Sequence, residues 1–166
     1  MRRFVRRHQP ATSHATLIKA GLGGTLAIAF VGWLGNASGV PLLIAPFGAT
    51  VILLFGIPGT PLAQPINVVG GHLLGTAIGL VLRGVLPPEW WAVGLGVGLT
   101  LAAMMLLRVT HPPAGANPIL VFLGDPGPWF LLTPVLAGSV ALVLFATAFH
   151  RLPPTTPYPL PRPTSS

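Results

Sequence analysis

Thr110-His111-Pro112-Pro113-Ala114-Gly115-Ala116-Asn117-Pro118 is a polar, ring-stiffened stretch set between two apolar runs. Thr110 is a candidate N-cap, Pro112 or Pro113 suits a first helical turn that needs no amide hydrogen, and Gly115 admits close approach to the backbone. The stretch therefore predicts the opening of a short helix. Such an opening leaves amide donors without intrahelical partners. Where water is excluded, those donors and the positive end of the helix dipole favour a bound anion.

A second opening is found by sliding the chain along itself. At an offset of 67, Pro46-Phe47-Gly48-Ala49-Thr50 falls on Pro113-Ala114-Gly115-Ala116-Asn117, Ile52-Leu53 on Ile119-Leu120, Phe55 on Phe122, Val68 on Val135 and Gly71 on Gly138. This predicts two repeats, about 17–86 and 87–151, each a long span, a short broken element and another long span, the plan by which transporters double a unit. Two short-helix openings that converge would form one anion site. Its candidate residues are His111, Pro112, Gly115 and Asn117 from the second opening, Gly48 and Thr50 from the first, and Gln64, Asn67 and His72 from the span between them.

The elements that must position these residues lie in lipid. Hydrophobic residues make up 52% of the 166 positions and charged residues 7%, where soluble domains carry roughly 25%. Mean hydropathy is +0.78. An all-α polytopic membrane bundle follows, forming a single membrane domain over 17–151 between a basic arm, 1–16, and a Pro-rich tail, 152–166, expected to be extended or disordered. The net charge of +7 is concentrated at Arg2, Arg3, Arg6, Arg7 and Lys19, the pattern of a cytoplasmic flank and not of a nucleic-acid surface. A cleaved signal peptide has that basic start in its favour, but the apolar run from Ala20 to Leu34 is long for one. The chain has no Cys, which removes disulfides, thiolate metal sites and cysteine nucleophiles.

Four runs are long enough to cross: about Leu17 to Leu34, Ile66 to Val85, Ala92 to Leu107, and Trp129 to His150. Val40 to Ile57 is interrupted by Pro41, Pro46, Gly48 and Gly56. His111 to Gly124 spans fourteen residues, roughly 21 Å of helix against a hydrocarbon core of about 30 Å. Length thus favours four long transmembrane helices with two short broken or re-entrant ones. The alternative is six crossings with inverted repeats. Charge does not choose: each arrangement puts eight of the nine basic residues inside, with Arg108 outside under four crossings and Arg83 outside under six.

The only carboxylates, Glu89 and Asp125, fall in connections. A cation path ordinarily carries acids or carbonyl cages, so the sequence favours a small anion or neutral solute. His72 and His111 could also carry protons. Against these stand plainer roles, His72 as a bond across a helix pair, His111 as a helix-start residue and Arg108 as a headgroup contact. A metal site at the two histidines lacks a third ligand. The glycines at 71, 75 and 79, and at 94 and 98, suit close packing within the chain. No Gly-x-Ser-x-Gly elbow or His-Glu-x-x-His pair occurs, and Ser139 has no acidic partner, so no enzyme and no cofactor is expected.

Thr110-His111-Pro112-Pro113-Ala114-Gly115-Ala116 resembles the motif after which the HPP family of integral membrane proteins is named. The resemblance extends to Pro46-Phe47-Gly48-Ala49-Thr50 and to Pro61-Leu62-Ala63-Gln64-Pro65-Ile66-Asn67-Val68-Val69-Gly70-Gly71-His72. It implies a small multi-pass protein, usually four-spanning, similar in some members to nitrite transporters of chloroplasts and cyanobacteria. Ile66 stands where the family commonly has Arg, and Asn117 replaces the more usual Thr or Ser. The regulatory CBS domains of some relatives are not expected. The resulting expectation is transport of a small anion, nitrite foremost, with membrane lipid and a possible homo-oligomer as partners. The setting expected is a bacterial inner membrane with the N-terminus cytoplasmic.

Overall fold

The computed structural model describes residues 5 and 7–161, and within them regular structure is entirely helical. Six helices follow in order: α1 His14–Ser38, α2 Pro46–Gly56, α3 Pro65–Arg83, α4 Trp90–Leu106, α5 Asn117–Gly124 and α6 Ala137–Phe149. Three stretches are long and apolar enough to cross a membrane: α1, α3 and Pro128–Phe149. α4, expected as a fourth long span, has 17 residues, about 25 Å of helix.

Local chemistry accounts for the boundaries. Ser13 caps α1 by accepting the amide of Thr16 at 3.2 Å, and Gly39 ends it in the left-handed conformation at φ 70°. Pro46 and Pro65 stand in the first turns of α2 and α3, where a missing N–H costs nothing. The last span is not the unbroken helix that its apolar run suggested. Thr133 leaves helical geometry at φ −135°, ψ 120°, because Pro134 lacks an amide hydrogen and crowds the residue before it.

α3 is the central helix. Its buried residues Val68, Gly71, His72, Gly75, Thr76 and Gly79 follow helical spacing along one face, and α4, α5 and α6 all pack against it. A Cβ at Gly75 would lie 2.6 Å from the carbonyl oxygen of Ala114 and 3.1 Å from Thr100, so only glycine lets the His111 segment come this close. α1 and α2 join α6 through Ala27, Val31, Phe47, Leu54, Phe55, Leu142 and Ala146. Leu17, Ile18, Leu22, Ile52, Val81, Leu101, Met105, Leu123 and Leu144 face outward, an apolar coat far larger than soluble proteins expose.

Successive helices alternate in direction. Along α1, Gly23, Gly32 and Gly35 approach Phe55, Leu43 and Leu42 in turn, so α2 runs back down α1. Along α3, Gly70, Gly71, Gly75 and Gly79 approach Val109, His111, Ala114 and Pro118, so the second short element runs parallel to α3. α4 is antiparallel to α3, with Met104 beside Gly71 and Leu82 beside Gly96. α6 returns to the α1 start, where Phe149 meets Gly23. Each short element therefore runs opposite to the helix before it. A dipping α2 would bring α3 back to the end that α2 left, whereas α3 starts at the opposite end. The connection 40–45 holds no helix before Ala45, which already has helical φ −53° and ψ −40°. It is wedged between helices, with Val40 and Leu42 against Gly35 and the Leu42 carbonyl against Gly138, the protein-lined setting in which such backbone is tolerated in lipid.

The tail is another difference. Instead of trailing free, it folds over the end of the bundle that holds the α1 start. Lys19 Nζ donates to the carbonyls of Leu152 and Pro154, and the Thr156 amide to that of His150. Tyr158 is buried and donates to Ala63 O at 3.0 Å, and the Leu160 amide donates to Gln64 Oε1 at 2.8 Å. Its many prolines keep it extended, but Tyr158 supplies an apolar body and a hydroxyl that anchor it. Arg2, Arg3, Arg6 and Arg162 lie outside the described residues.

Candidate functional site

Four of the nine residues singled out from the sequence meet at one point in the core. Thr50 on α2, His72 on α3, His111 just before the Pro112–Ala116 turn, and Asn117 at the start of α5 are all fully buried. The Thr50 hydroxyl lies 2.8 Å from His72 Nε2 and 3.0 Å from His111 Nε2. The two imidazoles stand 4.9 Å apart between centroids at 66°, and Phe47 meets His72 edge-on at 5.1 Å.

Each member is held from behind. His111 Nδ1 is 2.8 Å from Leu62 O, on the loop between α2 and α3. His72 Nδ1 is 3.3 Å from Asn117 Oδ1. Asn117 Nδ2 donates to His72 O at 3.0 Å and to Thr76 Oγ1 at 2.8 Å. Thr50 Oγ1 also lies 3.2 Å from Pro46 O, one turn back on its own helix. The cluster thus ties α2, α3, the Pro112–Ala116 turn and α5 together through side chains. Thr76 was not singled out from the sequence. It sits one turn beyond His72 on the same buried face, which is the signal that could have found it.

The other five residues lie elsewhere. Gln64 Nε2 donates to Pro58 O and Thr60 O, both at 2.9 Å, and its Oε1 takes the tail amide, so it shapes the loop. Asn67 Nδ2 donates to Thr110 O at 3.0 Å and fixes the connection leading to His111. Gly48 and Pro112 are exposed and Gly115 half-buried, with open space beside both glycines. Gly48 and Gly115 do not face one another in contact.

Two local expectations are corrected. Thr110 is not the N-cap. His111 occupies that position with no side-chain cap bond, because its imidazole is engaged by Leu62 and Thr50. Nor do the two openings present free amides. The Phe47 and Gly48 amides donate to Ile44 O and Ala45 O, and those of Ala114 and Asn117 to His111 O and Ala114 O. Tight turns ahead of each helix consume the donors that an anion would have needed. What the openings offer to the interior is polar side chains.

Among the described residues, charged groups stay at the two ends. Arg83 Nη2 and Asp125 Oδ2 pair at 2.8 Å where α3 ends and α5 caps, near Glu89, which precedes α4. Lys19 and Arg151 lie at the other end beside the folded tail, and Arg108 follows α4 at that same end. Trp33, Trp90, Trp91 and Trp129 are all exposed toward the Arg83 end, where an interfacial aromatic belt would stand. No group of three His, Asp or Glu side chains placed to hold a metal occurs among the described residues.

The chain belongs to the HPP family: the model of that family's transmembrane region matches residues 9–159. Two transmembrane proteins of Dictyostelium discoideum are similar. One is 32% identical over 127 residues, covering 72% of this chain and 45% of its own length. The other is 30% identical over 126 residues, covering 71% and 40%. The chain therefore spans less than half the length of these curated relatives, whose names describe them only as transmembrane proteins. No solved structure matches the chain.

Proposed function

We propose that this HPP family membrane protein is a transporter of a small solute, with a monovalent anion as the substrate class and nitrite the first candidate. The observation that carries the reading is the placement of Thr50 and Asn117 on opposite nitrogens of His72. These residues are equivalent at the offset of 67, and they converge on two histidines at the centre of the bundle. Polar groups so deep in a membrane protein cost free energy and mark solute pathways.

The element pattern supports a repeated unit. At the same offset α2 falls on Pro112–Gly124, the Pro61–Ala63 turn on Pro128–Leu131, and α3 on Leu132–Phe149. Because directions alternate, the two units run oppositely, the inverted plan that places a binding point at mid-membrane where the units meet. Six crossings with the N-terminus cytoplasmic go with this reading, since Arg7, Lys19, Arg108 and Arg151 share one end and Arg83 is neutralised by Asp125 at the other. A bacterial inner membrane is the proposed setting. Self-association belongs to the reading too, because so small a bundle has little lateral surface to enclose a path.

An anion is favoured over a metal cation because no carboxylate reaches the cluster. Solute access requires α2 and the second short element to part from α3, exposing Thr50, His72, His111 and Asn117. A second reading, a non-transporting scaffold, draws on a specific observation of its own: every cluster member is buried and bonded within the chain. Nitrite uptake by proteoliposomes, against protein-free vesicles and vesicles holding His111→Ala protein, separates the two. Protein-dependent uptake lost in a folded variant supports transport, and no uptake above empty vesicles supports the scaffold.

A further inference from the structure

The hydrogen-bond inventory of the cluster does not close with neutral side chains. Leu62 O can only accept, so His111 must carry its hydrogen on Nδ1. Asn117 turns its amide nitrogen toward His72 O and Thr76 Oγ1, which leaves Oδ1 facing His72, so His72 also carries its hydrogen on Nδ1. Reversing the Asn117 amide would set its oxygen against the His72 carbonyl. Both neutral rings therefore aim the Nε2 lone pair at Thr50 Oγ1, as Pro46 O aims its own. Three acceptors surround a hydroxyl that has a single hydrogen.

We infer that His72, Thr50 and His111 form a binding site for one proton, shared by the two imidazoles through the threonine hydroxyl. When a proton adds to His72 Nε2, the new N–H donates to Thr50 Oγ1 and the Thr50 O–H donates to His111 Nε2. Adding it to His111 gives the mirror arrangement. The two forms interconvert when one Nε2–H bond breaks, the hydroxyl hydrogen passes to the other ring, and the hydroxyl keeps the hydrogen it has received. Proton number and charge balance throughout.

The surroundings leave this site to the pair alone. α2 presents Phe47 and Thr50 to it, α3 Thr76, α4 Met104 and Thr100 beside the neighbouring glycines, and α5 Asn117. The only titratable group facing either histidine from these elements is the other histidine. Among the described residues no Lys, Arg, Asp or Glu bonds to the cluster, and Lys19, Arg83 and Asp125 are engaged at the ends. An unpaired buried charge is costly, so the bound proton favours arrival of a monovalent anion beside it. That last consequence rests on the transport reading, whereas the proton site rests on the bonding geometry.

The test is nitrogen NMR on the full chain, labelled with ¹⁵N-histidine, in lipid nanodiscs, with His72→Gln and His111→Gln assigning the two rings. At alkaline pH both rings should show the Nδ1–H tautomer. On acidification their Nε2 signals should move together through one transition worth a single proton. Thr50→Ser should preserve this joint behaviour and Thr50→Val should uncouple the rings. An Nε2–H tautomer for either ring, separate uptake of one proton by each, or no transition while the protein stays folded would overturn the inference. None of these readouts depends on flux, so a failed transport assay leaves the result intact.

Discussion

His72 and His111 stand on different elements, yet both direct Nε2 to the hydroxyl of Thr50, at 2.8 and 3.0 Å. The contact joins α2, α3 and the segment that opens α5 at one atom. Loss of that atom should be felt in both stability and function. Thr50→Val keeps the volume but removes the hydroxyl, leaving two ring nitrogens unpaired, and should cost about 1–3 kcal/mol per orphaned group. Thr50→Ser should cost less. Thermal unfolding in detergent or nanodiscs measures both.

Asn117 makes as many bonds as Thr50, three each. Asn117→Ala removes a second bond to the His72 carbonyl, takes the amide donor from the Thr76 hydroxyl and releases the His72 ring. It should destabilise the protein on the order of 2–4 kcal/mol. An unfolding temperature equal to that of the parent would show that these bonds are replaced by others.

Glycine positions separate packing from lipid exposure. Gly75→Ala places a methyl group 2.6 Å from a backbone carbonyl oxygen, whereas Gly94→Ala meets nothing within 4 Å. The first should force the His111 segment away from α3 and lower the unfolding temperature. The second should be neutral or stabilising by up to about 1 kcal/mol. Equal effects would contradict the α3 packing described above.

His150 gives the tail end a pH dependence. Burial holds its pKa below 6.5; the bond to the Leu54 carbonyl opposes this, and Lys19 adds a smaller lowering effect. Nε2 donates to Leu54 O at 2.8 Å while Nδ1 is buried without a partner. Below 6.5 the unfolded chain takes a proton that the folded one resists, so stability is full above that value and falls as pH drops through it. The pH slope of the unfolding temperature between 7 and 5 should flatten in His150→Phe. Tyr158→Phe, which removes one bond to Ala63, should cost about 1 kcal/mol with no change in slope.

Helix direction is open to a chemical test, because the chain has no cysteine. Single replacements Gln9→Cys, Glu89→Cys and Arg108→Cys sit at exposed positions. A membrane-impermeant thiol reagent should reach residues 9 and 108 from one side and residue 89 from the other. Residues 9 and 89 sharing a side would restore four crossings with re-entrant elements.

Much of this was legible in the sequence, for identifiable reasons. Pro and Gly placed the helix starts, and the 67-residue offset paired Thr50 with Asn117 before any contact was known. His72 and His111 stood out as ionisable groups in apolar surroundings. The direction of the short elements was not legible, because length alone cannot reveal toward which end of the bundle the non-helical connection at 40–45 leads. Nor was the use of the helix-start amides, which depends on the turns ahead of Pro46 and Asn117. Tyr158 was hidden in a Pro-rich tail whose composition says nothing of its docking.

The central claim is that the buried cluster serves transport, and nitrite uptake by proteoliposomes under an inward proton gradient tests it most directly. The account predicts uptake above protein-free vesicles, retained in Thr50→Ser and reduced at least tenfold in folded Thr50→Val, a loss of about 1.4 kcal/mol or more in the free energy of the rate-limiting step. Uptake that is unchanged in Thr50→Val, or no greater than in empty vesicles, would contradict it.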